Sequence, residues 1–510
     1  MALNEQNIVI QPNVGIANTN PKITFSAADA STNAKNIVLN VYPTSNGTLS
    51  FEGNTGQLFS ITDSMSGTIF SVNDISGIPS IEVLDTGLVK LAQYSGNVAI
   101  GQATANAKLH VNGDIIATNI NVGGDISWTQ STDTYSRNSG IPATTPVVTD
   151  IHLNMRRCTL LDDGTVNYYL NSANSAQKSD GTDSNLTGAD GMVMVEIPAF
   201  YVKFTPGATR NWAISLFPAA GYTPHPAFMR DGVYTPYRYY GAYDACVWTT
   251  GTTYQSGLNY DDNIGTGQNW DTGTAKLASV SGIYPAVGIT RAEARTLASN
   301  RGSIWRQSDY YLVNAIQLLY LVEYGSFNSQ SKIGLGNVQV ATGYPASSAN
   351  QTDSPHSVAG KSNSIGNATG AVASTTRDTA WMSYRGIENF YGNCWNFVDG
   401  FNINNNIAYV NNTRSQFTDD TATNYNMLGT MINANGYPTN VLALSSGFLP
   451  SAVGGGTGSY LTDYYYQSSG WRVALVGGNA DAGLIAGAFD WVLNHASSLV
   501  SRALGARLVF

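Results

Sequence analysis

The chain has 510 residues and a formal net charge of −9, with 12% charged, 43% hydrophobic and 11% aromatic residues and 52 glycines. The apolar and aromatic content excludes a disordered chain, and the acidic balance excludes a nucleic-acid binder, which needs clustered Lys and Arg. The length calls for two to four structural units. A charged share about half that of an ordinary soluble monomer points to surfaces that face other subunits and to exposed faces built from neutral polar groups.

Arg156-Arg157 is the one basic doublet and reads as a solvated strand edge. Cys158, Cys246 and Cys394 are widely spaced with no CxxC pair, so neither a disulfide framework nor a zinc site is expected. Cys394, between Asn393 and Trp395, reads as a small core residue. The N-terminal MALNEQNIVIQPNVG lacks a basic and an apolar region, so no signal peptide is expected. The chain has no run of about 18 apolar residues, so no membrane insertion is expected either.

From residue 20 to 125 the chain is a series of short alternating runs: KITFSA, NIVLNVY, GTLSFEG, QLFSITD, TIFSVND, SIEVLD, LVKLAQY and NVAIG. Turn pairs such as Asn46-Gly47, Ser66-Gly67 and Ser76-Gly77 separate them. Leu58–Asp63 and Ile69–Asp74 echo each other at a shift of eleven. Runs this short cannot bury a thick core within one chain. They become stable when copies from several chains wrap on a common axis, so a trimeric β-prism or β-helical shaft over 21–127 is the reading, with an ordinary β-sandwich as the alternative. His110 lies within this alternating pattern and reads as a packed or solvent-facing side chain.

The Thr-, Ser- and Pro-containing stretch STDTYSRNSGIPATTPVV reads as part of a linker over 128–150. After Ile151 aromatic residues thicken and irregular polar loops separate short strands. Thr290-Arg291-Ala292-Glu293 has the form of a helix N-cap with its reciprocal Glu. A second helix is expected over 305–324, with Tyr311, Ala315, Leu318 and Leu319 on one face. The stretches 340–375 and 402–440 show no periodicity, and loops of that length are functional or held by their neighbours.

Further on, GNCWNFVDG places Trp395 and Phe397 on one face of a strand, with Asp399-Gly400 as a turn. Glu388 and Asn389 suit bonding to the exposed backbone of loops. In GWRVALVGGN, Val473 and Leu475 point one way and Arg472 and Ala474 the other, and the closing GARLVF repeats the alternation with Arg507. Both arginines read as structural, pairing with carbonyls or carboxylates. The acidic pairs at Asp162-Asp163-Gly164 and Asp261-Asp262-Asn263 read as turns, since neither matches a calcium loop. No cofactor or metal site is expected; calcium held by loop carbonyls would leave no mark in the sequence. The five histidines have no metal-ligand spacing.

The ordered series HLNMRRCTLLDDGTVNYYLN, GADGMVMVEIPAFYVKF, YRGIENFYGNCWNFVDG, GWRVALVGGN and GARLVF resembles phage receptor-binding heads with a C-type-lectin-like fold. These heads are relatives of the formylglycine-generating enzymes and include the tropism determinants diversified by retroelements. AKLHVNGDI similarly resembles a string near the end of phage tail-fibre and tailspike shafts. The resemblance implies a mainly β chain: an N-terminal virion attachment segment over 1–20, the shaft, the linker, and an α+β lectin-like head over 151–510. Formylglycine-generating enzymes use a reactive cysteine pair near the C-terminus. This chain has no cysteine after Cys394, so the resemblance implies the fold without the reaction, and no enzyme is expected.

In such heads the variable binding surface comes from the C-terminal segment. Carried onto this chain, it implies receptor contacts at Asn479, Asp481, Asp490, Trp491, Asn494 and His495. The run Tyr464-Tyr465-Tyr466 joins them as large amphipathic area with few torsions to freeze. Trp491 is equally readable as a core anchor. The implied protein is a homotrimeric virion fibre assembled in the host cytoplasm. Its N-terminus would bind other virion structural proteins, and its head a bacterial surface glycan or protein. The alternative is a structural capsid or baseplate decoration fibre without specific receptor binding.

Overall fold

The computed structural model describes residues 8–11, 20–25, 36–42, 47–63, 66–94, 96–101, 103–105, 109–111, 123–250, 253–255, 270–340 and 356–510. Most of the expected attachment segment, most of AKLHVNGDI, the side chain of His110 and the acidic run at Asp261 lie outside the described residues. The chain divides into two compact units, Met1–Ile120 and Asn121–Phe510, and is mainly β with many antiparallel sheets.

The first unit contains an eight-stranded sheet in which each strand pairs with the next in sequence. Its pairs include Ile37–Tyr42 with Thr48–Gly53, Gly56–Thr62 with Thr68–Asn73, and Pro79–Leu84 with Val89–Leu91. Side chains alternate between the two faces of a strand, and the register sorts them cleanly. Leu39 faces Phe51, Phe51 faces Phe59, Phe59 faces Val72, Val72 faces Ile81, and Ile81 faces Leu91, which makes one face apolar. Phe51 and Phe59 stack with ring centroids 4.0 Å apart.

The other face is a polar ladder. Asn40 faces Ser50, Ser50 faces Ser60, Ser60 faces Ser71, Ser71 faces Glu82, and Glu82 faces Lys90. Gln57 donates to Ser50 Oγ at 2.8 Å, and the Ser60 and Ser71 hydroxyls pair at 3.0 Å. The small polar side chains Ser50 and Ser71 are buried, as is Glu82, whereas no described hydrophobic side chain of this unit is. Ile61, Val89 and Leu91 on the apolar face are 48%, 54% and 52% exposed.

The second unit is built differently. A five-stranded sheet runs Thr134–Ser136, Gly123–Thr129, Thr209–Ser215, Tyr201–Thr205, Thr223–Pro224. A six-stranded sheet runs Val166–Tyr169, Arg156–Leu160, Met192–Pro198, Tyr237–Gly241, Leu508–Val509, Arg306–Gln307. Leu508–Val509 is therefore an interior strand of this sheet. The helix Tyr310–Tyr324 packs on the central strands of the five-stranded sheet and on Trp395–Asn404; it is capped by the Asp309 carboxylate on Leu312 N at 3.0 Å and closed by Gly325 at φ +59°. Nearly every residue of this helix is buried, so it has no solvent face to set against an apolar one. The expected start at Trp305 is early, because Arg306–Gln307 is drawn into the sheet by Leu508–Val509. The helix Arg291–Ser299 has the anticipated capping box between Thr290 and Glu293.

Several expectations need correction. Residues 128–150 are integral to the second unit: Trp128 is fully buried, and Arg137 donates to the carbonyls of Val322 and Glu323, two acceptors at the end of the long helix, the second of which also takes the Val147 amide. Arg157 is no solvated edge. It is fully buried and donates to Gly386 O, Ser175 Oγ, Asn363 Oδ1 and Ser362 Oγ, so it pins three loops at once. Asp399-Gly400 does not reverse the chain. Gly400, at φ +67°, forms a bulge within the strand Trp395–Asn404, and Asp399 is buried against Arg295.

Candidate functional site

The C-terminal sheet is ordered Asn426–Thr430, Ile407–Val410, Trp395–Asn404, Trp471–Gly477, Gly487–His495, Tyr465–Gln467, with Leu504–Gly505 pairing beside Trp395. Both of its faces are covered. Phe401, Ile403, Ala474, Val476, Trp491 and Leu493 pack with Tyr310 and Val313 of the long helix. Phe397, Val473, Leu475 and Val492 pack on the other side with Ala294, Leu297 and Ala298 of the shorter one. Alternation along the two central strands thus places Val473 and Leu475 opposite Ala474 and Val476, as their sequence implies.

Buried polar groups hold this sheet to its surroundings. Arg507 is fully buried, donates to the carbonyls of Gly241, Glu388 and Asn389, and pairs with Asp244 at 2.5 Å. Asp244 also accepts from Asn393 Nδ2 and Asn396 Nδ2. Glu388 accepts from the backbone of Gly360 and Ser362, the loop-bonding task its sequence suggested. Arg472 is half-buried and donates to Trp471 O.

The nine residues expected at the receptor surface separate into two sets. Tyr465, Asn479, Asp490 and Trp491 are buried, Trp491 completely, and cannot touch a partner. The reason is the double coverage of the sheet: every side chain in the middle of Gly487–His495 meets a core, whichever way it points. Trp491 packs its ring 5.9 Å from Tyr310 and 6.0 Å from Phe401, which makes it a core anchor. Tyr464, Tyr466, Asn494 and His495 are half-buried at the rim, and Asp481 is exposed.

The rim is aromatic. Tyr464 and Tyr466 lie 4.6 Å apart by centroid, and Tyr437 meets Tyr464 edge-on at 5.0 Å. Half-buried Trp395 donates its indole N–H to Asp490 Oδ2 at 2.9 Å. Tyr437 and Trp395 were not among the expected contacts. Tyr437 sits in the aperiodic stretch before residue 440, and only its place beside a Gly and a Pro marks it as a ring fixed in a turn.

Beneath the rim lie two buried acids. Burial pushes Asp490 well above the carboxylate range, opposed by the Trp395 hydrogen bond and reinforced by Asp463. Burial likewise pushes Asp463 up to about 8, although the Phe489 amide and Thr462 hydroxyl favour its charged form. Asp490 Oδ1 and Asn494 Oδ1 are buried without a hydrogen-bond partner. Stacked, half-exposed rings suit a ligand with C–H faces, and the buried acids beneath them belong to the frame that holds the rings. His495 is held below its ordinary imidazole value by burial and by the nearby charge of Arg472.

Among the described residues no group of three or more His, Cys, Asp or Glu is placed to hold a metal ion. All three cysteines are buried, and burial raises each thiol, Cys246 to about 12. No described helix is long and apolar enough to cross a membrane. No protein-family model matches the sequence, and no curated protein matches it.

Proposed function

We propose that this chain is a bacteriophage fibre protein whose C-type-lectin-like head adheres to a bacterial surface glycan or protein through the aromatic rim of its C-terminal sheet. The observation that carries this reading is the rim itself: Tyr437, Tyr464, Tyr466 and Trp395 held half-exposed on a sheet whose two faces are packed. Rings with few torsions, set on a rigid base, lose little entropy when a partner docks. The contacts in this reading are Tyr464, Tyr466, Asn494, His495 and Asp481, joined by Tyr437 and Trp395. No covalent chemistry is part of it.

The first unit supports the fibre half of the proposal. The eight-stranded sheet, with one apolar face and no buried hydrophobic side chain among the described residues, lacks a core of its own. Three copies wrapped apolar face inward, as a β-prism, would supply one. The trimer would sit on the virion and present three heads, so that weak single-site binding becomes firm attachment through effective concentration.

The test is adsorption of the full-length protein to intact bacteria, with and without purified surface polysaccharide as competitor. Tyr464→Ala with Tyr466→Ala should abolish adsorption and leave the melting temperature nearly unchanged. Adsorption that survives this double substitution removes the rim from the reading. Failure to adsorb to any host favours the decoration fibre.

A further inference from the structure

A second recess in the Asn121–Phe510 unit is built from residues that play no part in the rim. It is a cleft of about 290 Å³ lined by Leu161, Asp162, Met192, Trp248, Tyr254, Lys276 and Arg301, together with Gly188, Ala189 and Gly191. Its charges are arranged around one carboxylate. Arg301 Nη1 reaches Asp162 Oδ1 at 2.6 Å, and Lys276 Nζ lies 3.4 Å from Asp162 Oδ2. Two cations against one acid leave a single positive charge, in a chain whose net charge is −9.

The arginine is fixed rather than solvated. Its side chain keeps only 5% of its surface, and Nε donates to Leu277 O at 2.9 Å. With Nε and Nη1 both committed, the plane of the guanidinium is set before any ligand arrives. Lys276, at 30% exposure, lies 5.7 Å above the Trp248 ring, and Tyr254 forms another wall. Asp162 is therefore more than a turn residue: it positions both cations, and its carbonyl accepts from the Trp305 indole at 2.8 Å.

We infer that this cleft binds a sugar acid, one monosaccharide ring bearing a carboxylate. The volume lies at the small end for ligand sites, about 300–1,000 Å³, and suits one ring rather than a chain of them. The surplus of one positive charge suits a monoanion and not a diphosphate. The carboxylate meets the Arg301 guanidinium and Lys276 Nζ, and the C–H face of the ring lies against Trp248 and Tyr254. This inference does not rest on the rim reading, since the two sites share no residue.

The experiment is titration of the full-length protein with D-glucuronate by calorimetry, alongside D-glucose, acetate and benzoate. Glucuronate should bind, glucose and acetate at least about tenfold more weakly, because each lacks one of the two recognised features. Lys276→Gln and Trp248→Ala should each weaken glucuronate about tenfold. Lys276 is exposed enough for its substitution to leave folding intact, which a melting curve checks. Absence of glucuronate binding, equal binding of glucose or acetate, tighter binding of benzoate, or full affinity in Lys276→Gln would each overturn the assignment.

Discussion

The two units of this chain solve the burial problem in opposite ways. The first buries Ser50, Ser71 and Glu82 and leaves its described phenylalanines and isoleucines half-covered or exposed. The second buries four tryptophans and five arginines to under 2% exposure within three hydrophobic clusters. One apolar face without a cover costs stability in water, roughly 25 cal/mol for every Å² left exposed. On the proposed reading the first unit gains its cover by association, whereas the second carries its own core and stitches it with buried ion pairs.

The sharpest way to break this contrast is to charge the uncovered face. Phe51→Asp with Phe59→Asp should abolish assembly, so that light scattering reads the single-chain mass of 54.2 kDa in place of a trimer. The second unit should keep its own unfolding transition. A wild-type protein that is already monomeric would remove the dependence on association.

In the second unit the largest effects belong to its buried polar ties. Asp244→Ala leaves the Arg507 guanidinium buried without its carboxylate, a change that costs about 3–5 kcal/mol. Chemical denaturation should show that loss. A loss below about 1 kcal/mol would mean that water or a neighbouring group takes over the charge. Trp491→Ala should cost a similar amount, about 3–5 kcal/mol, through the cavity it leaves. Tyr466→Ala should cost about 1 kcal/mol or less, the worth of one ring pair. Equal losses for these two substitutions would contradict the division between core and rim.

How far the sequence could carry this division is instructive. The strands of the first unit were legible because alternation and turn residues are local signals, and each expected run from Lys22 to Ile100 contains a strand. So were the Thr290–Glu293 capping box and the opposed faces of Val473 and Ala474. Coverage of a sheet on both sides is set by elements far away in sequence, and no local pattern reports it. That is why Asp490 resembled a surface residue, why Trp491 could be read either way, and why Arg157 resembled an edge while bonding to loops some 200 residues downstream. The cleft at Trp248 draws on residues scattered from Leu161 to Arg301 and had no sequence signal at all.

The second unit also bears a cost for burying acids, and Asp463 is where that cost can be read. Asp463 lies against Gly487 so closely that a Cβ there would stand 2.1 Å from its carboxyl, and its Oδ2 accepts from Phe489 N at 2.8 Å. Burial raises its proton affinity in the folded state from the ordinary 3.8 to about 8. Between those values the folded chain holds a proton that the unfolded chain has released. The associated stability is fully present below about 3.8 and is lost as pH rises through about 8. Asp463→Asn keeps an oxygen for the Phe489 amide and cannot ionise. Its melting temperature should therefore fall less than that of the wild type between pH 5 and pH 9, with the two proteins alike at the acid end. An identical fall in both would place the titrating group elsewhere, and Asp490→Asn would then be the next substitution to compare.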